Sequence, residues 1–387
     1  MTPRAYLSVR SLPVGTRVPQ ADGVAWMQAA LARAADAGAV DAADAERASR
    51  FYRRLGQQAA IASRETCLPD YTHRDWGAMT LHRETPAGPF AGGTLDARMA
   101  LFADTALRVA DAAFGADEPA PDALIQVSCT GYDSPNAAQR VAAARGWARA
   151  RLLHVGHMGC YAAVPAVALA ADLAAADAAR GAPGARASVL LIELCTLHHD
   201  PTTTDVERVV QQCLFADGAA RIDVTAAPDT GAQFALLDHA ETILPDSLGA
   251  MTWRPADGGF RMTLARDVPD RIRAHVGGLV GPMLAAHGLT AADVDVWAVH
   301  PGGPRVIEQT AEALALADAQ TRHSRDVLRA RGNMSSTTLP HIWEAVAADD
   351  AVPAGTLVAS VAFGPGLTAV ASLMRKEGHG ARGTGHG

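Results

Sequence analysis

The sequence predicts an α/β fold built from two halves of similar construction. Residues 123–131 and 188–194 are apolar runs that close on turn residues or polar positions, as strands buried on both faces do. Segments of helical period lie between them, so the first half alternates strand and helix in the manner of a layered core. The same rhythm returns after Pro228-Asp229-Thr230-Gly231, a plausible hinge. Residues 1–228 are thus expected to form one half and 229–375 the other, with 376–387 as a disordered, glycine-rich tail.

The elements follow in order. A short apolar start, Ala5 to Val9, precedes two amphipathic helices, Gly23 to Gly38 and Ala43 to Ala62. Residues 69–95 carry Pro69, Pro86, Pro89 and four glycines and read as loop, and a helix follows from Asp96 to Phe114. The strand at 123 leads into a helix over Asn136 to Arg145, then Leu153 to Cys160, then an alanine-rich apolar segment from Ala162 that reads as a buried helix. Pro165 falls early in that helix, where a first turn tolerates it. Ser188 to Leu194 is the clearest strand, Thr202 to Gln211 is polar, and Cys213 to Val224 is small and apolar. In the second half a helix (Pro269 to His287), a strand (Val294 to His300) and a helix (Arg305 to Leu314) lead to Asn333. A helix then runs through Trp343, and two closing strands, Thr356 to Phe363 and Thr368 to Met374, are joined by Gly364-Pro365-Gly366-Leu367.

The chain has 387 residues, 49% hydrophobic and 19% charged, enough for one large core or two domains. A net charge of −7 without a basic stripe argues against a nucleic-acid partner. No apolar run is long enough for a bilayer span, and the start lacks a signal-peptide pattern, so the cytoplasm is the expected compartment. Five cysteines, odd in number and without CxxC spacing, read as reduced thiols. His154 with His157, and His198 with His199, lack a further spaced ligand, so no metal is expected. Asp217 and Asp246 fit turn or cap positions, and no glycine pattern marks a nucleotide site.

Cys160 stands at or just before a helix start, where unpaired N–H groups and the helix dipole favour a thiolate, drawing a free thiol pKa of about 8.5 toward neutrality. His300 ends a strand and Asn333 follows a glycine, so both can project into a cleft. Cys, His and Asn in that order serve two chemistries. In a papain-like protease the histidine is the base and the asparagine orients it. In a condensing enzyme both point donors at a thioester oxygen and stabilise the enolate left by decarboxylation, one such donor being worth roughly 3 kcal/mol of barrier. The protease signature Cys-Gly-Ser-Cys-Trp is absent, and His300 leads into Pro-Gly-Gly-Pro.

Six motifs, in order, carry a resemblance: Gly159-Cys160 with its small-residue helix; Leu214-Phe215-Ala216-Asp217-Gly218; Thr242-Ile243-Leu244-Pro245-Asp246-Ser247 with Asp267-Val268-Pro269; His300-Pro301-Gly302-Gly303; Gly332-Asn333-Met334-Ser335-Ser336; and Phe363-Gly364-Pro365-Gly366-Leu367-Thr368. Over about 120–374 the chain resembles the type III polyketide synthases, the chalcone and stilbene synthase family. The resemblance implies a thiolase-like five-layered αβαβα fold, a homodimer, and iterative decarboxylative condensation of malonyl-CoA onto an acyl-CoA starter, with no cofactor beyond the coenzyme A thioesters. It makes Cys160 the acyl-bearing nucleophile, His300 its activator and, with Asn333, the holder of the thioester oxygen. Phe215 becomes the gatekeeping aromatic between acyl tunnel and growth cavity. Cys129, Thr130, Cys195, His198 and Ser335 become cavity-lining residues, Gly302 and Gly303 substrate-binding positions, and Gly364, Pro365 and Gly366 the wall behind the cysteine.

Three departures from the plant pattern matter. Met262 replaces a second gatekeeper phenylalanine, giving a softer wall. Trp253 replaces a glycine facing the growth cavity, which points to short or linear-chain products such as alkylpyrones or alkylresorcinols in place of chalcone. Near Gln57 to Arg64, where the entrance cations belong, mainly Arg64 remains, with Arg53 and Arg54 upstream; a carrier-protein thioester is then a credible donor. Two rivals stand beside this reading: a stand-alone ketosynthase joining carrier-bound acyl chains, as in initiation of fatty-acid synthesis, and a catalytically silent acyl-binding partner.

Overall fold

The computed structural model describes residues 1–58, 60–229 and 231–378. The N-terminal half runs β1 (Ala5–Leu12), β2 (Thr16–Pro19), α1 (Gln20–Asp36), α2 (Ala42–Gly56), β3 (Ser63–Thr66), α3 (Leu95–Ala112), β4 (Ala123–Ser128), α4 (Ala137–Ala144), β5 (Arg151–Gly156), α5 (Ala163–Ala179), β6 (Arg186–Leu194), α6 (Val206–Leu214) and β7 (Asp217–Thr225). The C-terminal half continues with β8 (Phe234–Ile243), β9 (Met251–Ala256), β10 (Gly259–Leu264), α7 (Val268–Ala285), β11 (Val296–Val299), α8 (Pro304–Ala313), α9 (Arg322–Arg331), α10 (Thr338–Ala348), β12 (Leu357–Gly364) and β13 (Thr368–Lys376).

Nine strands join in the order β11-β12-β13-β8-β1-β7-β6-β4-β5. The two half-sheets meet at a short antiparallel seam, Ala5 to Leu7 against Leu236 to Phe234. Side chains alternate across a strand, so each strand reports what covers its two faces. In β4, Ile125 and Val127 pack with α5 and α10 while Leu124 packs with α1 to α4. In β12, Val358 and Ala362 pack with α5 and α10 while Val361 and Phe363 pack with α7 and α8. Helices α5 and α10 are therefore the filling between two sheets that carry helices on their outer faces, which is the five-layered thiolase-like arrangement.

This architecture explains why the N-terminal turns of α5 are apolar all round: they are the middle layer, buried by both half-sheets, whereas Asp172 further along is exposed and pairs with Arg4. Pro165 is its third residue, inside the first turn. The polar stretch from Thr202 conceals α6, a helix capped by Asp205, which accepts from the Glu207 N–H. Alternating strands β8 to β10 also went unread. Lys376, which the sequence assigned to the tail, closes β13 and is buried, its ammonium donating to the Val346 and Asp349 carbonyls. The rest of the expected tail, 379–387, lies outside the described residues.

Candidate active site

Three chain segments converge at the seam. Cys160 precedes α5 by a turn opened by Gly159 (φ +90°), where a Cβ would lie 2.5 Å from Pro365 Cδ, so only glycine lets the two loops meet. His300 follows β11, its N–H bonded to the Val361 carbonyl at 2.8 Å. Asn333 follows α9 and is stitched to the Phe215 segment: its N–H donates to Leu214 O at 2.9 Å and its carbonyl accepts from Ala216 N at 2.8 Å. All three side chains are buried and line one cavity of about 510 Å³.

Geometry fixes the roles the groups can take. Asn333 Oδ1 accepts from the Ser335 N–H at 2.9 Å, which leaves the Nδ2 donors to face the cavity. The Ser335 and Asn333 side chains both act to lower the pKa of the Cys160 thiol. Both His300 ring nitrogens are buried without a protein partner among the described residues. Burial holds this imidazole neutral, its pKa pushed down to about 3.

The lowered thiol pKa expected from the helix start does not hold. Burial pushes Cys160 up to about 12, against the opposing hydrogen bond of Ser335, and the buried Glu193 charge adds to the rise. The residue stands three positions ahead of the first helical residue and is 7% exposed, so loss of water outweighs the dipole.

A second cavity, of about 370 Å³, meets the first at Cys160. Phe215 and Met262 line both and form the partition, together with Gln211 and Met251. Gly302 and Gly303 lie on the larger side; Cys129, Thr130, Cys195, His198, Trp253, Ser335 and Pro365 lie on the smaller. Trp253 is pinned there: its indole N–H donates to the Cys129 carbonyl at 2.6 Å, and its ring meets His198 and Phe260 edge-on at 5.5 and 5.6 Å. His198 spends both nitrogens, Nε2 donating to Thr130 O at 2.7 Å and Nδ1 accepting from Phe260 N at 2.9 Å.

Two further expectations are corrected. Arg64 is no entrance cation. It is buried, donating to the Gln20 side chain at 2.7 Å and to the Gln212 and Phe215 carbonyls at 2.6 and 2.7 Å, and so braces the gatekeeper's backbone. The exposed guanidiniums lining the mouth of the larger cavity are Arg266 and Arg305, which have no ion-pair partner among the described residues. Of the 364–366 loop only Pro365 lines a cavity. Gly364 is needed because a Cβ would sit 2.4 Å from the Tyr161 ring, and Gly366 because its φ is +111°; both serve the packing of the Cys160 loop.

Glu193 went unread. Its buried carboxyl accepts from the Ser336 hydroxyl, from Thr130 Oγ1 at 2.8 Å and from the Cys129 N–H at 3.0 Å, tying three cavity-bearing loops together. The available signal was one acidic residue inside the apolar run 188–194, which must find partners to be buried. Asp217 does the same beneath the site, accepting from the Thr196 and Cys67 N–H groups, each at 2.7 Å.

Comparison with known proteins agrees with this fold. Residues 235–377 match the family described as chalcone and stilbene synthases, C-terminal domain. The 1,3,6,8-tetrahydroxynaphthalene synthase of Streptomyces peucetius subsp. caesius is 32% identical over 319 residues, covering 78% of this chain and 82% of that one. Among solved structures, PKS-I of the brown alga Ectocarpus siliculosus superposes with a TM-score of 0.79 at 23% identity, over 96% of this chain and 98% of that one. The 1,3,6,8-tetrahydroxynaphthalene synthase of Streptomyces coelicolor A3(2), a bacterial type III polyketide synthase, superposes with a TM-score of 0.76 at 23% identity, over 96% and 99%.

Proposed function

The chain belongs to the type III polyketide synthases, acyltransferases that condense malonyl-CoA iteratively onto an acyl thioester, and on that premise we propose that Cys160 carries the acyl chain while His300 and Asn333 handle the thioester oxygen. The observation that carries this reading is the convergence of the three side chains on one cavity at its junction with a second. An acyl-CoA enters on the larger, more apolar side. His300, neutral and without another partner, accepts the thiol proton as sulfur attacks the thioester and coenzyme A leaves. Malonyl-CoA then occupies the same side. His300 and the Asn333 amide donors hold its thioester oxygen while carbon dioxide departs, and the resulting enolate carbon attacks the Cys160-bound acyl group. The lengthened chain returns to Cys160 and extends past Phe215 and Met262 into the smaller cavity.

Arg266 and Arg305 supply the positive charge at the mouth and receive the coenzyme A phosphates. Trp253 keeps the growth cavity small, which supports short products: alkylpyrones, alkylresorcinols or other small rings. The Streptomyces peucetius relative is a tetrahydroxynaphthalene synthase, which supports an oxygen-rich aromatic as a further candidate product. The reading calls for no cofactor beyond the coenzyme A thioesters. It includes a homodimer, supported by β5 standing at the edge of the sheet with Leu152 exposed, beside an exposed Tyr132. No helix among the described residues is long and apolar enough to cross a membrane, and the cytoplasm is the proposed compartment. Incubation with malonyl-CoA and a panel of acyl-CoA starters, read by mass spectrometry, tests the proposal. Condensation products are expected with at least one starter, and release of carbon dioxide without any condensation product would overturn it.

A further inference from the structure

The smaller cavity carries polar groups that the condensation steps do not use. Arg98, on α3, is 4% exposed and lines this cavity, with no carboxylate paired to it among the described residues. Its Nε donates to Gly93 O at 2.9 Å, and its Nη1 donates to the Leu197 carbonyl and, at 3.1 Å, to the His199 carbonyl. Its Nη2 makes no hydrogen bond among the described residues. Two glycines leave the guanidinium uncovered: a Cβ at Gly93 would lie 2.8 Å from Nη2, and one at Gly259 would lie 3.2 Å from Nε.

His199, whose backbone carbonyl accepts from Arg98, lines the same cavity. The imidazole is 5% exposed, and neither ring nitrogen has a partner among the described residues. The residue borders both this cavity and a void of about 20 Å³, large enough for a water. Two acidic residues line this cavity: Asp257 is exposed, and Asp200, whose charge acts on Arg98, is already spent. Asp200 pairs with Arg208 at 3.1 Å and accepts from the Thr202 N–H at 3.0 Å and hydroxyl at 2.7 Å. Neighbouring His198 is committed at both nitrogens, as described above. Buried donors without partners are costly unless a ligand completes them, and a guanidinium and an imidazole lining one cavity are donors suited to an oxyanion.

We infer that Arg98 and His199 form an oxyanion subsite in the growth cavity, which receives oxygen at the free end of the chain held on Cys160. Two sources supply that chemistry: the far carboxylate of a dicarboxylic acyl starter, or the terminal keto or enolate oxygen of the growing chain. The subsite rests on the synthase reading above and narrows it toward oxygen-bearing chains over plain alkyl ones. Its effect is on which starter is retained and where the chain is anchored; no bond forms or breaks there.

The test uses the full chain and dicarboxylic acyl-CoA thioesters of increasing length, malonyl to adipyl, each against the neutral acyl-CoA of equal length. Formation of the Cys160 acyl adduct is followed by intact-protein mass spectrometry. At the length that spans the cavity, the acid loads about tenfold faster than its neutral counterpart, as a charge-assisted pair implies. That ratio falls at least about threefold in His199→Phe, which keeps the ring's bulk, and in Arg98→Gln. Should Arg98→Gln fail to give a cooperative thermal transition, His199→Phe alone decides. A second arm extends hexanoyl-CoA with malonyl-CoA. If loading shows no preference for acids but His199→Phe shifts the distribution of chain lengths, the oxygen is the growing chain's own. Ratios near one at every length together with unchanged chain lengths overturn the subsite. Absence of an adduct on Cys160 with every thioester overturns the synthase reading beneath it.

Discussion

Replacing Trp253 with glycine removes the largest obstacle in the growth cavity, and the structure allows its two effects to be separated. The indole N–H is lost from the Cys129 carbonyl, a contact of 2.6 Å that contributes about 1 kcal/mol. The edge-on contacts with His198 and Phe260 contribute about 0.5–1.5 kcal/mol each. Because the ring is half-buried and borders open space, the full cost of emptying a core site does not apply, and the variant should lose about 2–4 kcal/mol. In a chain of this size that lowers Tm by roughly 2–5 °C, which leaves a folded enzyme to assay. Its products, separated by liquid chromatography and weighed by mass spectrometry, should include at least one further malonyl-derived unit with several starters. An unchanged product length with a lowered Tm would refute the steric argument and leave Trp253 as a packing residue.

Arg64→Met should cost about 2–4 kcal/mol, since it strands the Gln212 and Phe215 carbonyls, and should move Tm far more than KM for malonyl-CoA; the reverse pattern would restore Arg64 to the entrance. Arg266→Ala and Arg305→Ala should each raise KM for malonyl-CoA about two- to fivefold at low salt, with the difference shrinking as salt rises; a KM that moves in neither variant contradicts the proposed phosphate grip. With the thiol pushed up to about 12 and His300 down to about 3, both groups are neutral in the resting enzyme at neutral pH. Alkylation of Cys160 by iodoacetamide should therefore rise about tenfold per pH unit from 7 to 9, because the thiolate fraction grows with pH below the thiol's pKa. A plateau already reached at pH 7 would show a preformed thiolate.

What could be read from the chain beforehand has a physical pattern. Strands β4, β6, β12 and β13 are buried on both faces and helix α5 through its N-terminal turns, and continuous apolar runs announce them. Cys160, His300 and Asn333 could be found because each stands at an element's end beside a glycine or proline. Helix α6 was hidden because its buried face is short and its sequence polar, and β8 to β10 because they are partly solvent-facing. The error at Arg64 has a different cause. A cation is expected to seek water, and only the three-dimensional fold reveals two carbonyls and a glutamine able to satisfy it. The thiol followed the same rule: helix position is visible in a sequence, whereas the depth of burial that outweighs it is not.

The most direct trial of the whole account is to incubate the intact protein with a single acyl-CoA, digest it, and locate the added mass. One acyl group on Cys160 is predicted, absent from Cys160→Ala and present in Asn333→Ala, which should load the starter but release carbon dioxide from malonyl-CoA about a hundredfold more slowly. Acyl groups on Cys129 or Cys195 with Cys160 unmodified, or full decarboxylation by Asn333→Ala, would contradict it.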